Sequence, residues 1–111
     1  NRNLSISMNF NNHPIPLSQD EIMSLAETFR LLGDASRLKI LLFCMRGPSS
    51  VGEISDALDL SQSLVSHNLR LLRSARLVKG ERQSKQVFYE IDDLHVSQVL
   101  LDMASHISEE H

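Results

Sequence analysis

A single cysteine, Cys44, is all that this chain of 111 residues carries, which excludes an intrachain disulfide and any multi-cysteine metal site within one chain. Cys44 stands inside Ile40-Leu41-Leu42-Phe43-Cys44-Met45 and reads as a small buried apolar residue. No apolar run approaches the ~18 residues that a membrane span requires, so no membrane partner is expected. The first residues show no basic flank leading into an apolar core. That pattern is not a signal peptide, and a cytoplasmic location is expected. Positive charge is also short overall: the formal net charge is −3, which by itself argues against nucleic acid. The 41% hydrophobic and 23% charged residues are those of an ordinary globular domain. A core of this size is small, and packing between subunits would add burial that one chain lacks.

The charge is unevenly spread. From residue 62 to 89 six basic residues (Arg70, Arg73, Arg76, Lys79, Arg82, Lys85) face one acid, Glu81, a local net charge of +5. The acids collect at 20–27, at 53–59 and after Glu90. A charge-separated domain of this kind can turn a basic face to DNA, although a basic surface can also be merely solvated.

Residues 1–17 are rich in Asn, hold two prolines and show no helical period, so a flexible N-terminal arm is expected, with the folded domain over 18–111. Met8 is a candidate start, with the first seven residues an upstream extension. Ser18-Gln19-Asp20-Glu21 is a capping box that opens a helix running to Gly33. Asp34-Ala35-Ser36 restarts a second helix over 37–46, ended by Gly47-Pro48. Both are apolar enough to be core. Ser49 or Ser50 caps a third helix over 51–58, with Ile54, Ala57 and Leu58 facing inward.

After the tight connection Asp59-Leu60-Ser61, Ser61 caps a fourth helix over 62–75. Two helices joined by so short a turn, the second carrying basic side chains, have the layout of a helix-turn-helix. In the fourth helix Leu64, Val65, Leu69, Leu71 and Leu72 can face the core. Gln62, Ser63, Ser66, His67 and Arg70 form a polar face weighted to the N-terminal half, where a recognition helix enters the major groove. His67 alone also fits an ordinary exposed histidine. The β-rich runs 77–82 and 86–91, joined by a tip around Gln83-Ser84-Lys85, form a hairpin and hence a wing, whose Arg82 and Lys85 would lie along phosphates or a minor groove.

The last helix, 93–110, has Leu94, Val99, Leu100, Met103 and Ile107 on a broad stripe. Asp93 and His95 stand at its start, His106 and Glu109 at its end. Eleven residues at 100° each bring His95 and His106 to within about 20° of one face, but at 1.5 Å per residue they are about 16 Å apart along the axis. A metal ion needs its nitrogen ligands within about 2.1 Å, so each pair is half of a tetrahedral set. Two such helices packed antiparallel about a two-fold axis would join unlike halves into two sites per dimer. Taken singly, these residues also fit a solvated face, and helix capping alone explains an Asp at 93.

The run Leu60-Ser61-Gln62-Ser63-Leu64-Val65-Ser66-His67-Asn68-Leu69-Arg70-Leu71-Leu72, the upstream Leu32-Gly33-Asp34-Ala35-Ser36-Arg37-Leu38 and the terminal Asp-x-His…His-x-x-Glu closely resemble the ArsR/SmtB family of metal-responsive repressors, over about residues 19–110. The resemblance implies a mainly α winged helix-turn-helix with a small β-hairpin, a homodimer paired through its N- and C-terminal helices. It further implies a zinc site with Asp93 and His95 from one subunit and His106 and Glu109 from the other. Members that sense arsenic or cadmium carry a Cys-x-Cys pair in the third helix, where this chain has Ser50-Val51-Gly52-Glu53. An N/O donor set suits Zn²⁺ first with Co²⁺ as a mimic, and His13 or His111 could add a ligand for nickel. The expected protein is therefore a repressor that binds operator DNA as an apo dimer and releases it with zinc. A regulator of this fold with a non-metal signal is the alternative. An enzyme acting on a small organic substrate is not expected, because four protein ligands leave a zinc ion no open position for hydrolytic chemistry.

Overall fold

The computed structural model describes residues 9–10 and 13–109 of the chain. Met8 and His111, and most of the expected N-terminal arm's first half, lie outside those residues. The chain divides into two compact units, one ending at Leu32 and one beginning at Gly33.

In the first unit, β1 (Asn9–Phe10) and β2 (His13–Pro14) pair antiparallel, Asn9 opposite Pro14 and Phe10 opposite His13. Helix α1 (Gln19–Leu32) begins at the capping box read from the sequence: Glu21 N–H donates to Ser18 Oγ at 3.1 Å and Ser18 N–H to Glu21 Oε1 at 2.9 Å. Arg30 and Glu27 pair one turn apart at the surface. The helix is less buried than its apolar content suggested. Only Leu31 is buried, and Met23, Leu25 and Phe29 are exposed.

The second unit opens with α2 (Ala35–Cys44), two residues earlier than expected, because the Asp34 carboxylate caps it by accepting from Arg37 N–H at 3.0 Å. Helix α3 (Val51–Leu58) is closed at its start by a second capping box, Glu53 N–H to Ser50 Oγ and Ser50 N–H to Glu53 Oε1. Its end turns through Asp59, at φ 56° and ψ 48°, a left-handed position that Asp tolerates better than most residues. The Ser55 hydroxyl donates to the Leu60 carbonyl and Leu60 N–H to the Ser55 carbonyl, which closes the turn on itself. Helix α4 (Gln62–Ser74) follows, capped by Ser61 Oγ, which accepts from Leu64 N–H at 3.1 Å.

Strands β4 (Val78–Gln83) and β5 (Gln86–Ile91) form the hairpin, with Gln83 paired to Gln86 across the two-residue turn Ser84-Lys85. Ser84 takes φ 62° there, as hairpin turns require. Gly80 sits opposite Tyr89, and a Cβ at this position would lie 3.0 Å from the Tyr89 ring and from Val87, so a larger residue would press those side chains aside. A two-residue strand unforeseen from the sequence, β3 (Ser49–Ser50), adds to the far edge of β5, giving the order β3-β5-β4. Helix α5 (Leu94–Glu109) is the last element of the described residues and packs against β5.

The core of this unit lies where α2, α3 and α4 meet: Ile40, Leu41, Cys44, Ile54, Val65, Leu69, Leu72 and Val78 are fully buried. Truncating a leucine such as Leu69 or Leu72 to Ala would cost about 2–5 kcal/mol. Among the described residues, five helices and a small antiparallel hairpin in this order make a winged helix-turn-helix.

Candidate nucleic-acid interface and metal centre

The α3–turn–α4 unit is rigid for local reasons. Both helix starts are capped by serine side chains, the turn between them is hydrogen-bonded at both ends, and α4 is held by Val65, Leu69 and Leu72 at 0–1% exposure. What α4 leaves outside is polar. Gln62, Ser63, His67 and Arg70 are exposed and Ser66 is half-buried, the i, i+4, i+8 succession 62-66-70 running down one face. Two residues expected inside this helix are not: Leu64 is 37% exposed and Leu71 only half-buried. Asn68, 2% exposed, takes the core position instead, because the buried face follows 65-68-69-72.

Asn68 and its partner Arg37 are the residues that sequence reasoning missed here. The Arg37 guanidinium Nη1 donates to Asn68 Oδ1 at 3.2 Å. The i, i+3, i+4, i+7 spacing from Val65 to Leu72 was the available signal.

On the hairpin, Arg82 lies near the end of β4 and Lys85 in the turn, both exposed. Arg73 and Arg76 are exposed at the end of α4 and beyond it, and Lys79 on β4. The exposed basic residues therefore run over the helix, the connection and the wing.

On α5 the four ligand-type residues stand as two separate pairs. Asp93 Oδ1 accepts from Val96 N–H at 3.1 Å, so the carboxylate caps the helix, and His95 Nδ1 lies 3.8 Å from the same oxygen. His95 is 96% exposed in its side chain. His106 and Glu109, one turn apart at the other end, are exposed. Among the described residues, no three His, Cys, Asp or Glu side chains of one chain come together closely enough to hold a metal ion. The cysteine does not add a donor. Burial pushes the Cys44 thiol up to about 12, so it stays protonated.

Most of the large apolar side chains of α5 are bare. Leu100 alone is buried, while Leu94, Val99, Leu101, Met103 and Ile107 are between 48% and 83% exposed. That is far more apolar side chain than a lone helix normally leaves to water.

Residues 34–79, from the α2 cap to the start of the wing, match the family described as "Bacterial regulatory protein, arsR family". The chain is 38% identical over 96 residues to a transcriptional repressor SmtB homolog of Synechocystis, covering 86% of this chain and 73% of that one. It is 40% identical over 94 residues to the HTH-type transcriptional regulator NmtR of Mycobacterium tuberculosis, covering 85% and 78%. Its backbone is similar to the homodimeric winged helix-turn-helix DNA-binding domain Mb0332 of Mycobacterium bovis, with a TM-score of 0.74 over 87% of this chain and 92% of that one at 24% identity. With the fold, the capped helix-turn-helix and these relatives in agreement, the chain belongs to the ArsR/SmtB family of bacterial transcriptional regulators and is a DNA-binding regulator, not an enzyme.

Proposed function

We propose that this protein is a zinc-responsive transcriptional repressor, a homodimer that binds operator DNA when apo and dissociates from it when zinc binds between its C-terminal helices. The observation that carries this reading is the layout of α5: two pairs of ligand-type residues at opposite ends, Asp93 with His95 and His106 with Glu109, separated by bare apolar side chains. The apolar stretch calls for a partner, and a second copy run antiparallel brings unlike ends together. Met23, Leu25 and Phe29 of α1 are exposed apolar side chains as well.

The donor set fits zinc. Asp93 and His95 of one protomer with His106 and Glu109 of the partner would supply two imidazoles and two carboxylates, four N/O donors without a thiolate. These residues would hold the ion between the two chains, and zinc so held would supply a cross-link. Side chains tied in this way restrict how the two α5 helices pivot, and with them the separation of the two α4 helices, which must meet successive major grooves about 34 Å apart. Linkage then makes the coupling reciprocal: a dimer held off DNA by zinc must bind zinc more weakly on DNA, by the same factor.

On the DNA side, Gln62, Ser63, Ser66, His67 and Arg70 of α4 face base edges and nearby phosphates, and Arg82 and Lys85 of the wing face flanking phosphates. The test is a duplex-binding titration of the purified dimer with and without Zn²⁺, alongside metal analysis. Zinc should lower operator affinity by about 5- to 150-fold, the usual range of coupling energies. A dimer that takes up no zinc, or keeps its DNA affinity with zinc bound, would point to a non-metal signal acting on the same fold.

A further inference from the structure

Helix α4 buries one polar residue on its core face. Val65, Asn68, Leu69 and Leu72 form that face, and Asn68 is as enclosed as its apolar neighbours at 2% exposure. A buried amide costs free energy unless it is hydrogen-bonded, and the Arg37 guanidinium donates to Asn68 Oδ1 at 3.2 Å. Arg37 is itself placed. Its backbone N–H donates to the Asp34 carboxylate that caps α2, so its side chain leaves from a fixed first turn.

We propose that the Arg37–Asn68 hydrogen bond positions the recognition helix: it sets the roll of α4 about its own axis and so decides which base edges Gln62, Ser66 and Arg70 reach. This inference rests on reading α4 as the base-contacting helix. Apolar contact between α2 and α4 is non-directional and tolerates small rotations that keep Leu69 and Leu72 covered. A hydrogen bond is directional and does not. Side-chain atoms lie about 5 Å or more from a helix axis, so a roll of about 15° moves them by more than about 1 Å. Such a displacement breaks a base contact. Arg82 and Lys85 lie on the hairpin and not on α4, so their share of the phosphate contact does not depend on that roll. Arg37 and Asn68 are therefore positioning residues for sequence discrimination.

The test compares full-length wild type, Asn68→Leu, Asn68→Asp and the double variant Arg37→Met/Asn68→Leu. The probes are the duplex that the wild-type protein enriches from a random-sequence library and a scrambled duplex of the same length. For Asn68→Leu and the double variant, the ratio of the two affinities should fall about ten-fold or more, about the worth of one base contact. Affinity for the scrambled duplex and its salt slope should stay within about two-fold of wild type. Asn68→Asp keeps an acceptor for the guanidinium and should hold the ratio within about three-fold. The double variant removes the donor and acceptor of this bond together, so it reports even where the single leucine variant folds poorly. Circular dichroism and the thermal midpoint verify folding. Folded variants with the wild-type ratio, or with equal losses on both duplexes, would overturn the inference and leave the pair a stabilising role only. A wild-type protein that enriches no sequence would overturn the base-reading assignment of α4, and this inference with it.

Discussion

His95 Nδ1 lies 3.8 Å from Asp93 Oδ1 in the first turn of α5, and the same oxygen accepts from Val96 N–H at 3.1 Å. One carboxylate thus serves as the helix cap and stands beside the imidazole with which it would share a metal ion. The two roles separate by substitution. Asp93→Asn keeps a good cap and should leave unfolding free energy within about 0.5 kcal/mol of wild type, while Asp93→Ala should lose about 1 kcal/mol. Both should weaken zinc binding by more than about ten-fold, because each removes an anionic ligand. Urea unfolding of the apo protein and competitive zinc titration measure the two effects. Wild-type zinc affinity in Asp93→Asn would leave Asp93 a cap alone.

On the DNA face, the wing's Arg82 and Lys85 would position the protein while Gln62 and Ser66 of α4 would read sequence. Arg82→Ala and Lys85→Ala should weaken binding to all sequences alike and make the salt dependence shallower by about one unit of slope each. Gln62→Ala and Ser66→Ala should flatten the preference for operator over random DNA, by about 1–3 kcal/mol where a base contact is lost. Affinities for both duplexes over a range of salt check this. Uniform losses for all four would remove α4 from sequence reading.

Cys44 gives a pH dependence with a definite sign. Burial raises its thiol from 9.0 to about 12. In the unfolded chain the proton leaves first, so between those values the unfolded state binds fewer protons than the native state and stability falls as pH rises. The contribution is fully present below about pH 9 and lost on approaching pH 12. Cys44→Ala should cost about 1 kcal/mol near neutral pH and show a shallower decline in alkali. Urea unfolding at neutral and alkaline pH measures both; equal slopes in the two proteins would mean that the thiol titrates normally.

Much of this architecture is legible because its signals are local. Ser18 with Glu21, Asp34, Ser50 with Glu53 and Ser61 each mark a helix start by a side chain that accepts from the backbone three residues on, so the four starts can be read from spacing to within two residues. The hairpin follows from two β-rich runs around Ser84-Lys85. What spacing conveys poorly is which neighbour covers a face. Asn68 falls inside and Leu64 outside because the position of α2 decides where the buried arc of α4 begins, and Arg37 supplies the amide's partner from a different helix. The strand β3 is two residues long and exists only through its pairing with β5, which leaves no periodicity to read. The apolar content of α1 reads as core, yet most of it is exposed, since a hydrophobic stripe says that something covers it but not that the same chain does. The ligand pairs on α5 are legible as residue types and spacing, whereas their union depends on a second molecule.

That union is the central claim, and mixed dimers test it most directly. In a His95→Ala homodimer both sites lack one ligand, and the same holds for His106→Ala. In a heterodimer of the two variants one site lacks both histidines. The other takes Asp93 and His95 from the His106→Ala chain and His106 and Glu109 from the His95→Ala chain, and is complete. Subunit exchange followed by Co²⁺ titration should therefore give a tetrahedral absorption spectrum at one site per heterodimer, absent from either parent. Verified exchange with no such spectrum would contradict a site shared across the paired α5 helices.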